Sequence, residues 1–333
     1  MADYVRPHYF HAEAHALTGK LVLPFKEEIK KQAFVKLEGQ LAGLSDEEKA
    51  QRNYFSQHAK NFRLEGIISY AAAHTQVSGH ESNKHKGASV TLSTSVVEDL
   101  NVLNVVTADR VVAQISTTHF PNDYSPDVTF LGTHFENLRI ARHKAEPYLR
   151  LDLAGERPRG NDAMRVGQGT KFMTAVDMQY QRLRAWLEGL GSEDRAKMHL
   201  ETSDSSLIKR YHGDAPDYDA IERQAAEARK EDAKTGKGKS DGVTCSLVEN
   251  VEIKDISAKA ADGKLVQIPP PGRSCGHVIH IPDFGNIFLA ELTVNHDSFN
   301  LTMIRLELGC LADGNVSVGA TSVNGGGGKG GGG

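Results

Sequence analysis

The sequence has few cysteines, little tryptophan and no long apolar run, and each shortage argues against a class of protein. Cysteine occurs 3 times in 333 residues, with no C-x-x-C pair, as expected of a protein from a reducing compartment. A Cys245–Cys275 bridge is the alternative. The single tryptophan, Trp186, leaves few stacking platforms for a carbohydrate. No segment approaches the roughly 18 apolar residues of a membrane helix, so we expect no membrane span.

A basic surplus is also lacking. Lys and Arg number 39 against 43 Asp and Glu, which gives a net charge of −4. The basic residues are not interleaved with aromatic ones, so the sequence predicts no nucleic-acid partner. The first residues, Met1 to His8, show no basic stretch followed by an apolar one. We therefore predict a cytoplasmic protein, with surface location or non-classical export as the alternative.

Signatures of catalysis are missing as well. The chain has no nucleophile elbow and no H-E-x-x-H motif. The segment Gly167-Gln168-Gly169-Thr170-Lys171 resembles half a phosphate loop, but the remaining glycine spacing and a preceding buried strand are missing. Of the 32 glycines, 8 lie in the terminal run 325–333, which predicts a disordered tail. An enzyme is less favoured than a protein without a catalytic site.

The N-terminal segment from Tyr9 to about Lys60 has spacings of apolar and polar residues that predict strands and one helix. Residues Tyr9 to Leu23 alternate between apolar and polar, as in a half-buried strand, with a break expected at Thr18-Gly19-Lys20. Ser45 and Glu48 form a capping box. We expect it to open a helix that continues to about Lys60, with Tyr54, His58 and Phe62 on one stripe.

The rest of the chain is rich in short β-branched segments. They follow one another from Phe62 to about Leu153 and again from Val243 to Val323, separated by turn residues. The sequence predicts a mainly β fold, sandwich-like and antiparallel, with a solenoid or a barrel as alternatives.

A helical insertion interrupts these strands. Apolar residues from Phe172 to Leu190 recur at helical spacing, Ser192 starts a second helix, and a third is expected from Asp217 to Ala233. The predicted parts are a first β part (1–155), a helical insertion with a basic linker (156–242), a second β part (243–324) and the tail (325–333).

A short pattern recurs on both sides of the insertion. It consists of Glu, then Asp or Asn, and two aliphatic residues at a spacing of two, at Glu98–Val102, Glu136–Ile140 and Glu249–Ile253. The Asp or Asn favours a turn or a bulge, and the aliphatic pair enters one face of a sheet. The pattern indicates a duplicated β unit, although five-residue patterns also recur by chance.

One strand carries candidate metal ligands. His11, Glu13 and His15 share the polar face of the first predicted strand. Two imidazoles and a carboxylate suit Zn or Fe, and the alternative is a solvated strand face without a cofactor.

Two stretches resemble a known group of proteins. They are Val105-Val106-Thr107-Ala108-Asp109 followed by Phe135-Glu136-Asn137-Leu138, and His280-Ile281-Pro282-Asp283-Phe284-Gly285 with the strands that follow. Their order resembles bacterial β-rich proteins of the choice-of-anchor type. The resemblance covers roughly residues 90–150 and 245–323 and implies a surface-associated protein, without an active site to transfer.

Three functional hypotheses follow. The first is a structural or self-associating β-scaffold that binds itself or another protein through the helical insertion. The second is a metal-binding module or metal-dependent enzyme that uses His11, Glu13 and His15. The third is a ligand-binding β-sandwich.

Overall fold

A computed structural model describes most of the chain as two antiparallel sheets packed face to face, which confirms the predicted sandwich-like fold. It describes residues 8–40, 43–121, 126–156, 170–197, 211, 243–259, 264–294, 298–309 and 312–324. The predicted helix at 217–233, the basic linker and the glycine tail lie outside these residues.

Sheet A joins both ends of the described chain. Its strands are β1 (Tyr9–Leu23), β2 (Glu27–Gln32), β3 (Val35–Gln40), β12 (Val243–Ser246), β16 (Arg273–Cys275), β17 (Val278–Ile281), β18 (Gly285–Val294), β19 (Ser298–Leu308) and β20 (Asp313–Asn324). Their order is β16-β17-β18-β19-β20-β1-β2, with β3 also beside β1 and β12 beside β18.

Sheet B contains the middle of the chain. Its strands are β4 (Tyr54–Leu64), β5 (Ile68–Glu81), β6 (Ser89–Val102), β7 (Val106–His119), β8 (Asp127–Thr129), β9 (His134–Glu136), β10 (Arg139–Ile140), β11 (His143–Leu149) and β13 (Val248–Ile253). Their order is β13-β11-β10-β7-β6-β5-β4, with β8 and β9 also beside β7. A separate hairpin is formed by β14 (Ile256–Lys259) and β15 (Leu265–Ile268).

Small side chains let the two sheets approach closely where β1 crosses β6. Ala12, Ala14 and Ala16 of β1 are fully buried between the sheets. The hydroxyl of Ser93 donates to the carbonyl of Glu13 at 2.8 Å, and that of Ser95 donates to the carbonyl of His15 at 2.9 Å. Alanine methyls and serine hydroxyls leave room for such bonds, which larger residues would block.

The first strand is longer than its pattern suggested. The break expected at Thr18-Gly19-Lys20 is wrong, because β1 continues to Leu23 and pairs with β20 throughout that segment. Gly19 permits this pairing, since a Cβ there would lie 2.6 Å from the carbonyl oxygen of Asn315. The glycine therefore allows close approach of the backbones and does not end the strand.

The capping box works as predicted, but its helix is short. Helix α1 (Asp46–Arg52) begins at the Ser45–Glu48 box and ends at Asn53, and the expected continuation to Lys60 is wrong. Residues Tyr54–Leu64 form β4, which pairs with β5. A spacing of four residues places side chains on one face of a helix and also on one face of a strand. The spacing of Tyr54, His58 and Phe62 therefore does not distinguish a helix from a strand.

Two of the three helices predicted in the insertion are present, as α2 (Thr170–Glu188) and α3 (Ser192–Lys197). Leu183, Leu187 and Leu190 pack against Val278 and Phe288 on the outer face of sheet A. Cys245 and Cys275 are free thiols, so the alternative of a disulfide between them is wrong. Among the described residues, neither the length nor the apolar character of any helix is sufficient to cross a bilayer.

The recurring pattern marks backbone irregularities in two of its three copies. Asp99 and Asn137 adopt left-handed conformations with φ of 51° and 49°. Asp and Asn tolerate this region better than most residues. The expected turn or bulge is therefore present at these positions.

Candidate functional site

The predicted metal ligands lie together on the outer face of β1, as the alternation of buried alanines requires. His11 Nε2 is 3.8 Å from Glu13 Oε1. The Glu13 carboxylate is also 3.1 Å from Lys31 Nζ and 3.7 Å from Lys36 Nζ. Burial lowers the pKa of His15 to about 4. The lysines already neutralise the carboxylate, so this face provides a weak setting for a cation; the metal hypothesis for it stays a prediction.

A different group of histidines lines a groove on the outer face of sheet B, with a volume of about 300 Å³. We call it the histidine groove. It is lined by His58, Ala59, Lys60, Ala72, Ala73, His74, Val96, Glu98, Arg110, Val112 and His134.

Strand register assembles the histidine groove from two neighbouring transverse rows. The first row runs across five strands through directly paired residues, which are His58, His74, Val96, Val112 and His134. The second row, two residues along each strand, is Lys60, Ala72, Glu98, Arg110 and Glu136. Residues separated by two positions share a face, so both rows point outward. Imidazoles stand at both ends of the first row, and two valines form its floor.

The charges in the histidine groove are partly neutralised within it. Arg110 Nη2 donates to Glu98 Oε1 at 2.9 Å, and Arg110 Nη1 lies 3.9 Å from Glu136 Oε2. The rings of His58 and His74 stack with centroids 4.3 Å apart and planes 21° apart. Burial and the neighbouring His58 lower the pKa of His74, so its imidazole is neutral at pH 7. The groove thus offers imidazole nitrogens beside the charged groups of Glu98, Lys60 and Arg110.

Sequence reasoning missed the histidine groove because it depends on pairing between distant strands. His58 was assigned to a helix, and His74 and His134 lie in different strands, far apart in the chain. Within residues 54–64 only Phe62, Arg63 and Leu64 alternate as in a half-buried strand, so the segment carries little signal that His58 is a strand residue. The register that places it beside His74 is not visible in either segment alone.

A buried ionic cluster occupies the outer face of sheet A. Arg305 Nε donates to Glu291 Oε2 at 2.5 Å, and Arg305 Nη1 donates to Glu307 Oε1 at 2.5 Å. Tyr211 donates its hydroxyl to Glu291, and the Arg305 guanidinium lies 3.6 Å from the ring centroid of Phe288. Both carboxylates thus contact the single guanidinium of Arg305, which is the arrangement of a structural ionic cluster.

Among the described residues, no three His, Cys, Asp or Glu side chains are already arranged to hold a metal ion. A family model with the description "Domain of unknown function (DUF8256)" matches residues 8–295. No curated protein and no solved structure matches the chain. The family match extends from the start of β1 beyond the end of β18 and covers well over half of the sequence, so the chain belongs to the DUF8256 family.

Proposed function

We propose that the chain is a structural β-scaffold that associates with a second copy of itself through the outer edge of β4. The observation that carries this proposal is the free edge of sheet B. Strand β4 has 11 residues, ends the strand order, and pairs only with β5 in the part of the chain that the structure describes. Tyr54 and Phe55 at its start are 49% and 40% exposed. An open strand edge is a template for a further strand.

Residues 54–60 are compatible with symmetric antiparallel pairing centred on Gln57. In that register Gln57 faces Gln57 of the second copy, and Ser56 faces His58. Phe55 faces Ala59, and Tyr54 faces Lys60, a combination suited to a cation–π contact. No like charges are opposed, which favours an isologous contact. Beyond Lys60, the left-handed Asn61 (φ 53°) distorts the strand, so we limit the pairing to residues 54–60.

This assignment differs from the expected contact through the helical insertion. The apolar side of α2 packs against sheet A of its own chain, where Leu183 and Leu187 are buried. That face of α2 is therefore occupied within the chain. Strand β4 presents unpaired backbone groups instead, so it is the better docking element.

Charge substitutions in β4 test the proposal. Ser56→Lys/His58→Lys places lysines opposite one another twice in the symmetric register, and Ser56→Glu/His58→Lys places a carboxylate opposite each lysine. We expect the first variant to be monomeric and the second to be dimeric in sedimentation velocity and light scattering. The matched control is Glu27→Lys/Glu28→Lys, at two exposed positions of β2, which should stay dimeric. A monomeric wild-type protein at high concentration, or equal behaviour of the two β4 variants, would overturn the proposal.

The exposed hairpin is the rival contact. Leu265, Val266 and Ile268 of β15 are 70%, 47% and 45% exposed. A variant with Val266→Thr and Ile268→Thr should remain dimeric if β4 makes the contact. A monomeric hairpin variant would assign the association to β15 and contradict our proposal.

The second candidate function is ligand binding at the histidine groove. Its supporting observation is the cavity of about 300 Å³, in which apolar valines lie between imidazole and charged groups. Pockets of this size, with an apolar floor and a few polar groups, hold small molecules. A thermal-shift screen of small anions and metabolites against wild type and Val96→Trp tests it. Ligand-induced stabilisation that is lost in Val96→Trp supports binding in the groove, and an identical response contradicts it.

We also propose a cytoplasmic location. It is supported by the sparse cysteines and by the free thiols of Cys245 and Cys275. Fractionation of cells that express the chain at its native level is the test. Recovery at the cell surface would favour the exported alternative instead.

A further inference from the structure

We propose that His58 and His74 form a binding site for one divalent transition-metal ion, with preference for Cu²⁺. The two residues are directly paired across β4 and β5, and both side chains lie in the histidine groove. The remaining coordination positions would be filled by water. The site is separate from the His11, Glu13 and His15 face, which belongs to the other sheet.

The two rings can reach one ion only after one of them turns. Their centroids are 4.3 Å apart and their planes 21° apart, so the nitrogen lone pairs, which lie in the ring planes, do not converge on one point. Two nitrogens in neighbouring coordination positions, with metal bonds of about 2.0–2.1 Å, are about 2.9 Å apart. The His58 ring must therefore turn about its side-chain bonds to bring a nitrogen to this distance from His74. A rotation of the exposed His58 ring into solvent meets no packed neighbour, since His58 is an exposed residue of the edge strand.

Both rings are available as ligands. No protein hydrogen bond engages either His58 or His74 within the residues that the structure describes. Metal ions bind imidazole through an unprotonated ring nitrogen, and neither ring has a nitrogen engaged by a described protein group.

The surrounding charge is mixed. Lys60 and Glu98 flank Ala72 in the adjacent row, and Arg110 donates to the Glu98 carboxylate from the next strand. This carboxylate is engaged by a cation, as Glu13 is by Lys31 and Lys36, so we expect the two imidazoles to be the only protein ligands. An imidazole-rich site with few anionic ligands favours Cu²⁺ over Zn²⁺ and Mn²⁺ in the usual order of affinities.

Calorimetric titration of the tag-free full chain with Cu²⁺ tests the inference. We expect one equivalent to bind, and we expect His58→Ala and His74→Ala each to weaken it at least tenfold. His134→Ala, at the far end of the same row, is the matched control and should change the affinity less than threefold. Unchanged binding by the His58→Ala/His74→Ala variant would overturn the inference. So would loss of this binding in His11→Ala/His15→Ala, because it would move the site to β1.

A spectroscopic readout separates coordination from an indirect structural effect. The Cu²⁺ electron paramagnetic resonance spectrum should show coupling to two imidazole nitrogens in wild type and to fewer in each single variant. Far-ultraviolet circular dichroism verifies that the variants are folded. An identical nitrogen pattern in wild type and in folded His74→Ala would contradict the assignment.

Discussion

Arg305 supplies the positive charge that the buried carboxylate of Glu291 requires. The Glu291 side chain is 1% exposed and that of Arg305 is 11% exposed, so solvent does little to stabilise either. Two nitrogens of the guanidinium donate to the Glu291 carboxylate, and a third donates to Glu307. A buried ion pair adds little stability over apolar residues, but loss of one partner leaves an uncompensated charge.

We therefore expect Arg305→Ala to lower the free energy of unfolding by about 3–5 kcal/mol. Lys31→Ala removes a partner from the more exposed Glu13 and should cost about 0–1 kcal/mol. Urea unfolding at pH 7 measures both. Equal losses for the two variants would show that Glu291 is not held by Arg305 in the manner described.

Histidines buried at one end of the sandwich make stability depend on pH. Burial lowers the pKa of His119 to about 3 and that of His8 to about 4, from 6.5. The unfolded chain takes up protons near pH 6.5, whereas the folded chain takes them up only at lower pH. Stability is therefore highest above pH 6.5 and is lost as the pH falls toward the folded pKa values.

The pH dependence of unfolding tests this linkage. Each such histidine contributes a slope of up to about 1.4 kcal/mol per pH unit between these limits. We expect His119→Gln to reduce the slope between pH 6 and 4, whereas His80→Gln, at an exposed position, leaves it unchanged. Equal slopes in wild type and His119→Gln would contradict the linkage.

At the scale of elements, the contact between β1 and β6 depends on small side chains. Ala14 is fully buried between the two serine-to-carbonyl bonds that join the sheets. Added volume at this position must separate the sheets or break these bonds. Overpacking of this kind typically costs about 1–3 kcal/mol.

Ala14→Leu is accordingly expected to destabilise the protein by about 3 kcal/mol, because overpacking and loss of hydrogen bonds act together. Ala71→Leu, at an exposed position of β5, is the matched control and should change stability by less than about 0.5 kcal/mol. Thermal and urea unfolding of both variants provide the measurement. A stable Ala14→Leu protein would mean that the sheets are farther apart than the serine contacts indicate.

Elements in which apolar residues recur at one regular spacing over many residues were predictable from the sequence. Elements whose secondary structure depends on pairing with a distant strand were not. The alternation in β1 and the apolar stripe of α2 each fit one secondary structure, and both predictions are confirmed. Residues 54–64 are compatible with a helix as well as a strand, and they form a strand because they pair with β5. The histidine groove was unpredictable for the same reason, because His58 and His74 meet only through that pairing.

At the scale of the molecule, the ends of the described chain close one sheet. β1 and β20 are paired along most of their length, so residues near the N-terminus and residues 313–324 are neighbours in the centre of sheet A. The largest buried cluster contains residues from β1, β6, β7, β18, β19 and β20. The two β parts on either side of the insertion thus share a core.

A truncation before β20 should therefore unfold the whole sandwich. We expect a chain that ends at residue 311 to lose cooperative thermal unfolding, because β1 and β19 both lose a partner strand. A chain that ends at Asn324 is the control and should unfold like the full chain, since the removed run is mostly glycine. A cooperative transition in the shorter chain would show that β20 is dispensable.

Self-association through β4 has its most direct test in a cross-link at the proposed two-fold axis. Burial raises the pKa of the Cys275 thiol to about 11 and also raises that of Cys245, so both should react slowly. In a Cys310→Ser background, Gln57→Cys should form an intermolecular disulfide on mild oxidation. Gln76→Cys on β5 is the control and should not. Absence of a cross-linked dimer from Gln57→Cys, or equal cross-linking of the two variants, would contradict the account.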